Sequence, residues 1–332
     1  MKLNIGIIGY GKMGVMRHNI IKKYSSFAKV EMISDSKDLK INSDCKFVMD
    51  YREIINNPNI NTVFICTPNY LNKKITLEAL RKNKNVFCEK PPAVNYKDIK
   101  KIIEVEKKSK SKLMYGFNHR HHESIKLMKK LILSKKYGKI LWMRGRYGKS
   151  VDKKFYNNWR SKNELSGGGI LIDQGIHMLD ILIFLYGTFD VIKSVSSNLY
   201  WKSDVEDNMF VIFKDSKTGV SASLHSTMTQ WRHLFSLEVF LEKGYLVLNG
   251  LKTSSKSYGK ETLTIAKNRS VSPAATWKDE KKINFKKDNS MQNEVKDFLL
   301  SIKNNKKIKI GNSDDALKIM RTISKIYKEA KK

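Results

Sequence analysis

Three consecutive glycines, Gly167-Gly168-Gly169, precede Asp173, and His177 follows four residues later. Residues four apart on an α-helix share a face, so this spacing presents a carboxylate and an imidazole to one bound molecule. An imidazole titrates near neutral pH and can take a hydroxyl proton as hydride leaves carbon. The carboxylate can bind a neighbouring substrate hydroxyl or raise the proton affinity of the imidazole. Asp180, three residues beyond His177, is the alternative partner on the same face. The glycines allow a ligand to approach the backbone without meeting a Cβ. The plainer reading makes Asp173 a helix-start residue and His177 an ordinary buried polar group. Two further motifs decide between these readings.

The run Asn85-Val86-Phe87-Cys88 reads as a buried strand, with Glu89-Lys90-Pro91-Pro92 at its carboxyl end. Ligands of open parallel sheets bind outside such ends. A lysine there can polarise a carbonyl or carbinol oxygen, stabilise a developing alkoxide, or take the proton itself. Whether Lys90 or His177 accepts that proton is left open by the residues alone.

The elements that would position this chemistry begin at the N-terminus. Leu3 to Ile8 reads as a strand, and Gly9-Tyr10-Gly11-Lys12-Met13-Gly14 opens a helical stretch to about Tyr24. This is the strand, G-x-G-x-x-G, helix arrangement that binds a dinucleotide. Gly9 makes the tight turn, Gly11 admits the pyrophosphate, and Gly14 lets helix and strand pack closely. The phosphates then lie on the N–H groups that open the helix, beginning at Lys12 and Met13. A second strand ends at Asp35, 21 residues after Gly14, at the spacing of the acid that binds the adenosine ribose. A carboxylate accepts from a 2′-hydroxyl and repels a 2′-phosphate, which favours NAD over NADP, although Lys37 nearby softens that preference.

These motifs, with Cys66-Thr67-Pro68-Asn69, Gly116-Phe117-Asn118-His119-Arg120 and Trp159-Arg160, resemble the glucose–fructose oxidoreductase / inositol dehydrogenase (Gfo/Idh/MocA) family. The matches fall in the family's order from about Leu3 to His177. One departure is Asn72, three residues after Asn69, where family members often carry a His. The resemblance implies a two-domain NAD(P)-dependent oxidoreductase acting on sugars, polyols or nucleotide-linked sugars. It also implies cofactor contacts from Thr67, Pro68 and Asn69, and Glu89 facing the nicotinamide ribose. Asn118 and Arg120 would face the nicotinamide or substrate, and Trp159-Arg160 the carboxamide edge. The substrate set would then be Lys90, Asn118, Arg120, Asp173 and His177. A non-catalytic dinucleotide sensor is the competing class, but a sensor has no need of Lys90, Asp173 and His177 together.

The net charge of +32 raises the question of nucleic acid. However, Arg occupies only ten positions, and base-reading or phosphate-clamping surfaces favour Arg forks. The lysines are scattered through nearly every helical segment, so they read as compositional bias that can still steer anionic substrates. No nucleic-acid partner is expected. No apolar run reaches the roughly 18 residues of a membrane span, and a strand by Leu3 leaves no room for a signal peptide. Cytoplasm is the expected compartment. Cys45, Cys66 and Cys88 form neither a disulfide framework nor a metal-ligand spacing. His119, His121 and His122 cluster without flanking Cys or paired acids, so no metal is expected.

Strand runs near Leu3–Ile8, Val30–Ser34, Phe47–Met49, Thr62–Cys66, Val86–Cys88 and Leu113–Phe117 alternate with helical patterns. This argues a doubly wound parallel sheet over residues 1–118, the NAD(P)-binding Rossmann domain. From Ile140 the pattern turns to consecutive strands, with one helix over Asp173–Tyr186 and a hairpin turn at Glu242-Lys243-Gly244-Tyr245. Residues 119–312 are thus expected to form an α+β domain on a large, mainly antiparallel open sheet. The open face suits a homodimer or homotetramer, as the resemblance also implies. Residues 313–332 read as a C-terminal helix, which in this family packs back on the nucleotide domain.

Overall fold

The structure is a computed structural model that describes residues 2–39 and 44–332. It divides into two compact units, Met1–Asn118 with Met291–Arg321, and His119–Ser290 with Thr322–Lys332.

The first unit is built on strands β1 (Leu3–Ile8), β2 (Ala28–Ser34), β3 (Lys46–Val48), β4 (Thr62–Ile65), β5 (Asn85–Cys88) and β6 (Leu113–Tyr115). They pair in parallel in the order β3-β2-β1-β4-β5-β6, so the strand order reverses beside β1. The central strands are apolar and buried, as sheets covered on both faces require. Helices Lys12–Ile21, Asn69–Arg81 and Tyr96–Lys108 connect them. The helix Ser290–Lys303 contributes Val295, Phe298, Leu299 and Ile302 to this same core. Phe298 meets Phe64 and Phe87 edge-on, each at 5.6 Å between centroids. Burying each of these rings contributes about 1.5–3 kcal/mol. The expected boundary at 312 is therefore misplaced: the chain rejoins the first unit at Met291, because this helix buries its apolar face there. The last helix, Ser313–Glu329, is divided, through Arg321 with the first unit and beyond it with the second.

The second unit carries strands β7 (Ile140–Ser150), β8 (Val191–Ser197), β9 (Asn208–Lys214), β10 (Ser221–Thr227), β11 (Thr229–Leu241), β12 (Gly244–Asn249), β13 (Glu261–Lys267) and β14 (Lys281–Phe285). Their order is β14-β13-β12-β11-β7-β10-β9-β8. Every pairing is antiparallel except β7 with β10. Alternation decides the faces: in β9, Met209, Val211 and Phe213 are buried whereas Phe210 and Ile212 are more than half exposed. The helical stretch Asn163–Leu185 is long and apolar enough to cross a membrane by composition, yet 83% of its apolar 18-residue window is buried within the protein. That burial marks a core helix.

Within it, the single helix expected over Asp173–Tyr186 is two pieces. Leu171–Gly175 winds as one π turn, and Ile176–Leu185 continues as α-helix. Isolated π turns widen the spiral and occur frequently at functional sites. Asp173 thus lies in the π turn and His177 in the first turn of the α-helix that continues it.

Candidate functional site

In the first unit the glycine loop is shaped as the spacing predicts. Gly9 has φ +87°, and a Cβ there would lie 2.7 Å from the Cys66 carbonyl oxygen. A Cβ on Gly14 would lie 2.2 Å from the Gly9 carbonyl oxygen, so only glycine permits this helix–strand approach. Gly11 faces open space, and the helix begins at Lys12 with no side chain capping its N–H groups. A pyrophosphate fits that opening: its oxygens would accept the uncapped N–H groups of the first turn. Asp35 is held beside the loop, where its Oδ2 accepts from the Tyr10 N–H at 2.8 Å and its Oδ1 from the Lys37 N–H at 3.1 Å.

The remaining cradle residues are tied together by a side chain outside the expected set. Asn72 is fully buried and accepts from the Thr67 hydroxyl at 3.0 Å. It also donates to the backbone carbonyls of Glu89 and Pro91, at 3.3 and 2.9 Å. One amide thus fixes the Thr67-Pro68-Asn69 turn against the Glu89-Lys90-Pro91 segment. At this position the chain uses a neutral brace.

Glu89 itself is committed to Arg17. The Arg17 Nε donates to Glu89 Oε1 at 2.7 Å, while Nη2 also reaches Glu294 Oε2 at 2.7 Å. The guanidinium is 1% exposed and lies over the Phe87 ring, 4.5 Å from its centroid. Burial works against its charge but is outweighed by Glu89 and Glu294, leaving it raised above its ordinary value. One Glu89 oxygen thus belongs to a buried ion pair that anchors the end of β5. Arg17 falls in a segment readable only as the helix after the glycine loop, so its sequence gave no hint of this role.

In the second unit a different set converges. The His119 and His177 rings stack with centroids 4.0 Å apart and 19° between planes. His119 Nε2 lies 3.1 Å from the Tyr147 hydroxyl, and the Tyr147 and Tyr258 rings are 5.2 Å apart between centroids. Burial pushes the Tyr147 phenol well above its usual range, with Tyr258 and Asp173 adding to the rise. Burial likewise pushes Tyr258 up to about 12. Asp173 accepts from the Lys149 ammonium and meets Arg160 Nε at 3.5 Å. Arg160 in turn lies over Trp159, 4.3 Å from the ring centroid. The cluster therefore holds one carboxylate between two cations, beside a stacked imidazole pair.

Sequence reasoning missed Tyr147, Lys149 and Tyr258. Tyr147 and Lys149 share one face of β7 by the two-residue period, a signal that identifies a face but not what meets it. Tyr258 lies in a Ser/Lys-rich segment without periodicity.

Two parts of the expected site have protein partners here. The guanidinium of Arg120 is 3% exposed and grips Asp180 at 2.6 to 3.0 Å. Arg120 and Asp180 thus form a buried ion pair within this unit. The glycines are also explained otherwise. A Cβ on Gly168 would lie 2.0 Å from the Tyr327 hydroxyl, and one on Gly169 would lie 2.1 Å from the Glu206 carbonyl oxygen. They admit neighbouring protein groups, not a ligand. Glu206 accepts from the Gly169 and Leu171 N–H groups at 2.7 and 3.0 Å and from the Tyr327 hydroxyl at 2.9 Å. Burial raises its carboxyl above the ordinary value despite these bonds.

His122 Nδ1 lies 3.1 Å from Glu261, whose other oxygen accepts from Ser124. Among the described residues, no group of three or more His, Cys, Asp or Glu is arranged to hold a metal ion.

The Gfo/Idh/MocA oxidoreductase profile, an NAD-binding Rossmann fold, matches residues 3–117, and the profile of the same family's C-terminal domain matches residues 125–247. Levoglucosan dehydrogenase of Pseudarthrobacter phenanthrenivorans is 30% identical over 210 residues, 59% of this chain and about half, 54%, of that enzyme. Myo-inositol 2-dehydrogenase of Thermotoga maritima is 25% identical over 268 residues, 76% of this chain and 77% of that enzyme. A solved levoglucosan dehydrogenase, in complex with NADH and levoglucosan, superposes with a TM-score of 0.85 over 100% of this chain and 98% of that one, at 21% identity. The likeness at that identity is one of fold. The two profiles between them cover more than half of the chain, and the glycine loop, Asp35 and the open sheet carry the same pattern. The chain belongs to the Gfo/Idh/MocA family of NAD-binding oxidoreductases.

Proposed function

We propose that this protein is an NAD-dependent dehydrogenase acting on a hydroxyl-bearing carbon of a sugar or polyol. The reading is carried by two features of the one chain, a dinucleotide cradle in the first unit and a polar cluster suited to an alcohol in the second. The cradle comprises Gly9, Gly11, Gly14 and Asp35. The cluster comprises His177, Asp173 and Lys149. Bound NAD supplies the hydride acceptor. His177 takes the hydroxyl proton, and Lys90 stabilises the developing negative charge on the oxygen. Asp173, held by Lys149, accepts a hydrogen bond from a neighbouring substrate hydroxyl. Free and anhydro sugars, inositols and nucleotide-linked sugars are the candidate substrates. The family relatives named for levoglucosan and myo-inositol support the anhydro sugars and the inositols. The excess of positive charge favours an anionic member such as a nucleotide-linked sugar.

A second copy of this chain is the proposed partner for the open sheet face. Trp142 stacks on Phe240 there at 4.2 Å, and Phe240 on Tyr245 at 5.1 Å. Val195, Phe210 and Ile212 are each more than half exposed on neighbouring strands. Exposed apolar patches of this kind mark interaction sites.

The test is a screen for NADH formation with levoglucosan, inositols, aldoses and UDP-sugars, alongside NAD and NADP titrations. Turnover of at least one sugar or polyol with NAD supports the reading. Tight NAD binding with no turnover on any of them would favour a dinucleotide sensor.

A further inference from the structure

Lys90 stabilises the charge on the reacting oxygen, yet the backbone that carries it is held by a residue outside that chemistry. Asn72 lies on the helix Asn69–Arg81 and is fully buried. Its side-chain amide meets three groups, and their chemistry fixes which way it points. The Glu89 and Pro91 carbonyl oxygens, at 3.3 and 2.9 Å, can only accept, so the amide nitrogen must face them. The amide oxygen then faces the Thr67 hydroxyl, which donates to it at 3.0 Å. Both amide hydrogens and the oxygen are thereby used.

The two carbonyls stand one residue before and one residue after Lys90 in the chain. A single planar group therefore spans the lysine. Beyond it, Pro91 and Pro92 restrict the backbone through their fixed φ. Before it, the Glu89 N–H donates to the Ile65 carbonyl of β4 at 2.9 Å, and the Glu89 carboxylate is gripped by Arg17 at 2.7 Å. A lysine ammonium rides on a flexible four-carbon stem. Where it can reach depends first on where that stem begins.

Other side chains of similar size do less here. A neutral imidazole has one N–H and one acceptor nitrogen, so it can keep Thr67 and one carbonyl but leaves the other unmet. Leucine fills the volume and meets neither carbonyl. The number of carbonyls held thus falls from two to one to none along Asn, His and Leu.

We propose that Asn72 is a positioning residue for Lys90, its amide fixing the backbone on both sides of the lysine so that the ammonium stands where charge develops on the reacting oxygen. The catalytic consequence rests on the dehydrogenase reading above; the brace does not.

Two measurements on the full chain test this. The first is NMR amide exchange in the ligand-free protein. In Asn72→Leu, exchange at Glu89 and Lys90 should speed up at least about tenfold relative to Val86 in the same strand, as expected of local opening. Asn72→His should fall between this variant and wild type. The second is the single-turnover rate with a turned-over substrate at saturating NAD, counted per NAD-binding site. Asn72→Leu should lower it by about 10²-fold and Asn72→His by about tenfold, the scale of a misplaced reacting group, while KM for the sugar changes little. In a Lys90→Ala background the same substitutions should cost less than about twofold, because residues acting through one another are not additive. Full losses in that background would show a general structural role and overturn the proposal. So would exchange at Glu89 and Lys90 that is unchanged, or that rises only in step with Val86. If Asn72→Leu does not fold, Asn72→His decides by the same criteria. If exchange responds as expected but neither wild type nor variant turns over any substrate, the dehydrogenase reading fails and the brace stands.

Discussion

Asp35 accepts the Tyr10 N–H at 2.8 Å, so the acid placed to read the ribose also closes the glycine loop. Replacing it with alanine would remove both functions at once. Asp35→Asn keeps an acceptor for Tyr10 but removes the charge. NAD affinity should then fall by about 1.5–3 kcal/mol, the worth of a charge-assisted bond. NADP affinity should rise relative to NAD. Calorimetric titration of both cofactors measures the ratio, and an unchanged ratio would show that Asp35 does not set cofactor choice.

Asp173 is held by Lys149 and approached by Arg160. Lys149→Met should therefore raise KM for the sugar more than it lowers kcat, because the carboxylate loses its fixed orientation towards a substrate hydroxyl. Losing one such oriented hydrogen bond corresponds to about 0.5–1.5 kcal/mol of binding. A fall in kcat at constant KM would instead place Lys149 among the groups stabilising the transition state.

The Arg17–Glu89–Glu294 network is buried. Arg17→Met leaves two carboxylates without their cation and should destabilise the protein by about 3–5 kcal/mol. Adding Glu294→Gln should recover part of that loss by neutralising one of them. Urea denaturation with and without the second substitution checks both statements; a change under about 1 kcal/mol in the single variant, the range of an exposed pair, would refute the account of the network.

Tyr327 and Glu206 hold the backbone that leads into Asp173. Tyr327→Phe removes the hydroxyl and leaves Glu206 with one partner fewer. Stability should fall by about 1–3 kcal/mol, the cost of an unmet buried polar group. KM should rise as the Asp173 turn loosens. Gly168→Ala should cost more than Tyr327→Phe, since its Cβ would meet the Tyr327 hydroxyl and its φ of +144° disfavours any side chain. If Gly168→Ala is tolerated, the tight packing described here is wrong.

The parts of this molecule that follow from local chemistry were legible in the chain. The glycine loop, Asp35 and the parallel strands each answer to a short-range rule, and the second strand ends at Ser34, immediately before Asp35. The open sheet was legible for the same reason, because alternation in Asn208–Lys214 survives as buried and exposed faces. What escaped depends on contacts distant in sequence. Tyr258 reaches Tyr147 from 111 residues away, and Glu294 reaches Arg17 from 277 away. No local pattern encodes either meeting. The Arg120–Asp180 pair, 60 residues apart in the chain, was likewise beyond any local pattern. The Gly167-Gly168-Gly169 run was read correctly as a close approach, but the approaching groups are Tyr327 and Glu206.

The most direct test of the central claim is the single-turnover rate of NADH formation in His177→Ala and Lys90→Ala, measured beside NAD affinity. The account predicts that each variant loses about 10²–10⁴-fold in rate, the usual range for a positioned acid–base group, while NAD binding is unchanged. Near-wild-type rates in both variants would contradict it and place the proton chemistry elsewhere.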